Sequence, residues 1–237
     1  MGQHSGIGVL DKAVEILDAV ALEPLALAAL VGRTGLPRAT AHRLAVALET
    51  HQLLSRDHAG RFVLGPRLAV LAGEAGDALP GLAAPVLAWL RDEAGESAQL
   101  YRREGRDRVC LAVAERTTGL RTTVAVGAHL PLTAGSGAQV LAAWEAPGLI
   151  AEITTRSAFS DRLLAEVRRR GWAQSVGQRE AGVASVSAPV RGSDGAVVAA
   201  VSISGPIERL GRAPGQRLAP VVVAAANRLT ATFARRA

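Results

Sequence analysis

Apolar residues recur with helical spacing three times in the first fifth of the chain, and then the period shortens. Over 9–21, Leu10, Ala13, Val14, Leu17 and Val20 repeat every three or four residues with Asp11, Glu15 and Asp18 between them, the pattern of an amphipathic helix. Ala28, Ala29, Leu30 and Val31 make a second, short apolar stretch that stops at Thr34-Gly35, where glycine can take the left-handed conformation that closes a helix. Pro37 opens a third helix at the position where its missing N–H costs no hydrogen bond. At about 100° per residue, Ala41, Leu44, Ala45 and Leu48 share one arc of that helix and must face a core. Arg38, Ala39, His42, Arg43 and Val46 share the opposite arc. Two short strand-like runs, 53–57 and 61–64, flank His58-Ala59-Gly60, whose glycine suits a hairpin turn. Helix, tight turn, helix and hairpin over 25–64 predict a winged helix-turn-helix.

Beyond Gly65-Pro66 the pattern predicts a linking helix over 67–78, a break at Leu79-Pro80-Gly81 and a further helix over 82–94. Strand patterns then follow at 97–103 and 109–115 around Glu104-Gly105-Arg106-Asp107, with a third at 120–126. Alternating runs at 183–191 and 196–204 flank Ser193-Asp194-Gly195, a hairpin signal. Helical patterns at 136–145, 160–170 and 214–235 are interspersed. The fold class is α+β, built on an antiparallel sheet. The expected organisation is a disordered tail at 1–8, a winged helix-turn-helix at 9–65, a linker helix at 66–80 and a second domain at 81–237.

Charge sharpens the reading by its placement. The 237 residues carry +6, with Lys12 the one lysine among 27 basic residues, yet residues 1–70 hold only +1 of it. Between Glu23 and Glu49 there is no acid, while Arg33, Arg38, His42 and Arg43 all lie there. An acid-free window around a recognition helix is what binding to a polyanion needs, so double-stranded DNA is the expected partner. Arg38, Ala39, Thr40, His42 and Arg43 are placed in the major groove, where guanidinium groups reach guanine edges and small neighbours allow close approach. Arg56 and Arg61 flank the wing turn and are placed on phosphates.

Several classes of chemistry lack their motifs. The single lysine follows Asp11, so no Walker loop exists, and neither Gly6-Ile7-Gly8 nor Gly135-Ser136-Gly137 completes a dinucleotide fingerprint. One cysteine and five scattered histidines give no zinc pattern, and no serine sits in a Gly-x-Ser-x-Gly elbow. Cys110, between Val109 and Leu111, reads as a small buried hydrophobe. No catalytic residue, metal or cofactor is therefore expected, and the chain reads as non-enzymatic. Apolar runs such as 218–226 fall short of the ~18 residues a membrane helix requires, so the protein reads as soluble and cytoplasmic.

Five ordered stretches resemble the IclR family of bacterial transcription regulators: 35–44 (GLPRATAHRL), 60–68 (GRFVLGPRL), 127–139 (GAHLPLTAGSGAQ), 168–190 and 199–210 (AAVSISGPIERL). The resemblance spans nearly the whole chain and is closest to an actinobacterial branch linked to amino-acid metabolism, leucine biosynthesis above all. It implies a winged helix-turn-helix, a linker helix and a C-terminal GAF-like effector-binding domain, working as a homodimer or a dimer of dimers on a palindromic operator. It also implies a pocket for a small metabolite, an amino acid or another small carboxylate. Carried over by motif, that pocket uses Leu120, Thr122, Ser136, Gly137, Ser175, Val183, Ser185, Ser202 and Ser204. Free N–H groups at the start of the Ser136 helix are expected to hold the carboxylate. The sequence departs from the family where Ser175 replaces an acid, Ser185 a cysteine and Gln139 a lysine. A second reading stays open: a metabolite-binding protein whose helix-turn-helix contacts protein rather than DNA.

Overall fold

Helix α1 (Gly8–Leu22) turns Ile16, Ala19 and Val20 inward, and the two helices and the hairpin strand that follow it close on that stripe. The computed structural model describes residues 5–74 and 78–234, and contacts divide the chain into two units, 1–77 and 78–237. After α1 comes α2 (Leu27–Thr34), which ends at Gly35 with φ +66° and its N–H donated to the Val31 carbonyl at 2.9 Å. Only a residue without Cβ takes that conformation at no cost, and it sets the turn into α3 (Arg38–Thr50). Pro37 occupies the cap itself, one residue before the helix, and its carbonyl accepts the Ala41 N–H at 2.9 Å. Strands β1 (Leu54–Arg56) and β2 (Phe62–Leu64) pair antiparallel with Leu54 opposite Leu64. Leu30, Leu36, Ala41, Ala45, Leu48, Leu54 and Phe62 complete the core.

The expected tail is partly structured. Residues 1–4 lie outside the described residues, but Ser5 donates its N–H (2.8 Å) and its hydroxyl (2.6 Å) to Asp11 Oδ1, and Gly8 is already helical. Helix α4 (Pro66–Glu74) covers the first part of the expected linking helix, and residues 75–77 lie outside the described residues.

In the second unit, α5 (Leu79–Ala94) starts where a break is expected. Pro80 sits in its first turn, where no N–H is required, and Leu79, Ala83, Leu87 and Leu90 form one buried stripe that holds the whole helix in register. The remaining elements are β3 (Ser97–Glu104), β4 (Asp107–Ala114), β5 (His129–Pro131), α6 (Ser136–Ala143), α7 (Pro147–Thr154), α8 (Asp161–Arg170), β6 (Ala173–Val176), β7 (Val183–Arg191), β8 (Val197–Pro206), α9 (Ile207–Leu210) and α10 (Gly215–Ala234). The six strands form one antiparallel sheet in the order β5-β4-β3-β8-β7-β6.

The third strand expected at 120–126 does not form; the short β5 pairs with β4 instead. Alternation is present there, but only its centre is covered: Thr122 and Val124 are buried while Leu120 and Val126, on the same side, face solvent. In the other strands it is the chemistry that alternates, since β3 and β8 are buried on both faces. Along β7 and β8, Val186, Ala188, Val201 and Ile203 pack on α5 and α10. Ser185, Ser187, Ser202 and Ser204 take the other face, toward the start of α6. The two faces of the sheet therefore differ in chemistry: one is aliphatic and closed, the other is hydroxyl-lined where α6 begins. Among the described residues no helix is long and apolar enough to cross a membrane.

Candidate nucleic-acid interface and ligand pocket

Helix α3 presents the predicted face to solvent. Ala41, Ala45 and Leu48 are buried, whereas Arg38, Ala39, His42, Arg43 and Val46 are exposed and Thr40 is half-buried. Among the described residues neither Arg38 nor Arg43 has a carboxylate partner, while Arg33 is tied to Glu23. Two unpaired guanidinium groups and a histidine thus stand on one small-residue surface.

The wing arginines are engaged differently. Arg56 Nε donates to Glu49 at 3.0 Å, its Nη1 reaches the Gly60 carbonyl at 3.1 Å, and its guanidinium lies 4.2 Å from the centre of the Phe62 ring. Arg61 pairs with Asp57 at 2.7 Å, and its hydrogen bonds hold the Asp57 carboxyl below its ordinary value. The sequence places both on phosphates. The structure shows each holding an acid, so either must exchange that acid for a phosphate to serve DNA.

In the second unit, Ser136, Ser175, Val183, Ser185, Ser202 and Ser204 line one cavity of about 30 Å³. Their hydroxyls are linked. Ser185 Oγ lies 2.9 Å from Ser175 Oγ and 2.7 Å from Ser136 Oγ, which is itself 2.7 Å from Ser187 Oγ, and Ser187 contacts Ser202. Three predicted residues stand apart from the lining. Leu120 is 73% exposed, and its carbonyl accepts from Arg209. Thr122 is buried elsewhere because the 120–126 segment lies off the sheet. Gly137 is a packing position: a Cβ there would sit 3.4 Å from Ser202 Oγ and from the Tyr101 ring.

The start of α6 also differs from expectation. Its first amides are not free: Ser136 N–H donates to Ser175 Oγ at 3.1 Å, and Gly135 N–H to Gln178 Oε1 at 3.1 Å. A serine at position 175 is neutral and short enough to cap the helix from within. Gln139 Nε2 adds a 3.0 Å hydrogen bond to the same Gln178 oxygen.

Gln99, Tyr101, Arg108, Gly135, Arg179 and Glu180 complete the lining, and none of these is placed in the pocket by the sequence reading. A signal for Arg108 exists in the strand itself: it shares the β4 face with Cys110 two residues on, and Cys110 is fully buried. Arg108 is 3% exposed. Burial pushes its guanidinium down to about 10, because the charged form loses its hydration. Burial also raises the Cys110 thiol to about 12, which leaves it an inert hydrophobe rather than a nucleophile. Among the described residues no group of three or more His, Cys, Asp and Glu side chains is placed to hold a metal ion.

Known proteins agree with both halves. The IclR helix-turn-helix domain family matches residues 9–58, and the family of bacterial transcriptional regulator IclR C-terminal domains matches 78–231. The glycerol operon regulatory protein of Streptomyces coelicolor is 32% identical over 217 residues, 85% of this chain and 84% of that protein. A solved IclR-family regulator from Rhodococcus sp. superposes with a TM-score of 0.60 at 28% identity, over 98% of this chain and 96% of that one. An IclR homologue from Microbacterium hydrocarbonoxydans, complexed with 4-hydroxybenzoate, shares the fold with a TM-score of 0.63 at 24% identity, over 97% and 100% of the two chains.

Proposed function

Because the chain belongs to the IclR family of bacterial transcriptional regulators, we propose that it is a ligand-responsive regulator that reads a palindromic operator in the cytoplasm through α3. The observation that carries this is the solvent face of α3, where Arg38 and Arg43 lack acidic partners and small residues surround them. Its genes are those of amino-acid biosynthesis, leucine first, as the motif resemblance suggests. The effector is a small molecule held at the serine-lined cavity; the Microbacterium homologue's ligand is itself a carboxylate. The segment 66–80, which joins the two units, is the route by which occupancy of the cavity reaches the DNA unit. A ligand can act only by binding two conformations unequally.

The test is retention of the duplex upstream of the protein's own gene and of a scrambled duplex across a salt series, with and without leucine. Selective retention that weakens with salt by about 0.9 per phosphate neutralised on a log–log plot supports the reading. Equal or absent retention of the two duplexes across the series would overturn it in favour of a helix-turn-helix that contacts protein. A response to leucine assigns the effector; its absence removes leucine and leaves the regulator.

A homodimer is the working unit in this reading. Ile7, Leu10 and Val14 are exposed along one stripe of α1, three and four residues apart, and Val70 and Leu71 are exposed on α4. Apolar stripes of this kind at unpartnered helix faces mark association surfaces. The double variant Leu10→Asp/Val14→Asp is expected to sediment as a monomer and to lose most operator affinity. Unchanged mass and affinity would place the dimer contact elsewhere.

A further inference from the structure

We propose that the effector is a small monocarboxylate gripped by the Nε and Nη2 edge of Arg108, with Gln99 donating to a second oxygen of the same molecule. This rests on the regulator reading only for its consequence; the chemistry belongs to the cavity.

Arg108 is fixed along one edge. Its Nη1 donates to the carbonyls of Pro131 (2.7 Å) and Ala134 (2.9 Å), and its guanidinium lies 5.4 Å from the centre of the Tyr101 ring. The opposite edge is unused: Nε is buried with no partner, and Nη2 has no acceptor among the described residues. Nε and Nη2 are the two parallel donors with which an arginine holds a carboxylate in a fork. The backbone leaves this edge open, since a Cβ at Gly135 would sit 3.3 Å from Nη2, and Gly135 holds φ +93°, where L-residues are rarely found.

A second orphan donor lies on the same cavity wall. Gln99 is fully buried; its Oε1 accepts from Ser204 at 3.2 Å, and its Nε2 has no partner. Buried donors without acceptors cost free energy, so two in one cavity point to an acceptor-rich occupant.

Charge and size narrow the class. Arg179 and Glu180 neutralise each other at 3.2 Å, so the lining carries one net positive charge, on Arg108. One charge calls for a monoanion. An α-amino acid would also need an acid for its ammonium group, and the one acid in the lining is already paired. About 30 Å³ holds only a few non-hydrogen atoms. At the start of α6, meanwhile, the Gly135 and Ser136 amides are satisfied by Gln178 and Ser175.

The experiment is titration of the full-length protein with glycolate, acetate, glycolamide, malonate and leucine, read by calorimetry and by thermal shift, alongside operator retention with the same preparations. Glycolate is expected to bind and to raise the melting temperature, acetate to bind less tightly, and neutral glycolamide, dianionic malonate and zwitterionic leucine not to bind. Arg108→Gln is expected to weaken glycolate about 30-fold or more, and Arg108→Lys less. Gln99→Leu is expected to erase the preference for glycolate over acetate, which tests the site even if the Arg108 variants fold poorly. Glycolamide binding as tightly as glycolate, Arg108→Gln binding glycolate like the parent, or no monocarboxylate binding at all would each overturn the proposal. Selective operator retention in those cases leaves the regulator reading standing. Carboxylate binding without any such retention overturns that reading and keeps the site.

Discussion

Replacing Arg38 and Arg43 together by alanine is expected to remove selective operator binding while leaving the fold intact. Both side chains are exposed and without ion-pair partners among the described residues, so their loss breaks no folded-state contact. Surface changes of that kind shift stability by no more than about 0.5 kcal/mol. On DNA the same groups matter far more. An arginine bidentate to guanine contributes about 1–3 kcal/mol of discrimination at its base pair, so two contribute about 2–6 kcal/mol, a loss of roughly 30-fold to more than 10⁴-fold per half-site. If one of them contacts a phosphate, its removal instead weakens all sequences alike and lowers the salt slope by about one. A footprint and a salt series therefore separate the two roles. Arg61→Ala is expected to do much less, because Arg61 must first leave Asp57 and that exchange offsets part of its gain on a phosphate. An unchanged footprint and affinity in the double variant would show that α3 is not the reading helix.

The parts of the fold legible in the sequence are those set by local chemistry. Gly35, the proline that follows it and the two arcs of α3 specify the helix-turn-helix with no tertiary information, and the structure shifts Pro37 by one position only. Gly60, Gly105 and Gly195 mark three hairpin turns, with φ +73°, +62° and +78°. Elements set by their partners are less visible. Strand β5 has three residues and β6 four, too short for a period-two pattern, and α7 has eight residues that follow Ala146-Pro147. At 120–126 the alternation is real, but on its apolar side only Thr122 and Val124 are buried, and Leu120 and Val126 at the two ends face solvent.

The site divides along the same line. The motif resemblance names Ser185, Ser202 and Ser204, and a strand's period sets them on one sheet face, where all three line the cavity. For Arg108 the strand's period gives one signal only, its parity with the buried Cys110. In a chain with this many arginines, one more beside Asp107 looks like solvated surface. What makes it the cavity's charge is two non-local facts: the carbonyls of Pro131 and Ala134 that hold it, and the glycine at 135 that leaves its other edge open. Serine at 175 acts at the same distance. It fills the Ser136 amide, one of those that a helix N-terminus offers to an anion.

Phe62→Ala is expected to unfold the N-terminal unit while the second unit keeps its structure and its ligand. Phe62 is 1% exposed and is the one aromatic residue in the N-terminal core. It also joins three parts of the wing: its backbone exchanges hydrogen bonds with Leu25 at 3.0 and 2.8 Å, its strand neighbour across the hairpin is Arg56, and its ring carries the Arg56 guanidinium. Truncating a buried phenylalanine costs about 3–5 kcal/mol, and a unit of this size has only about 0.05–0.15 kcal/mol per residue of net stability. The change therefore consumes most of what holds the unit folded. Calorimetry should show a transition moved down by more than about 10 °C, with a second transition unmoved, and operator binding lost while glycolate binding remains. Phe62→Leu, which conserves most of the volume, should cost less than about 1.5 kcal/mol and keep operator binding at low temperature. If Phe62→Ala instead lowered a single transition that carried both activities down together, the two units would fold as one cooperative body. The separation of DNA reading from ligand binding along this chain would then be wrong.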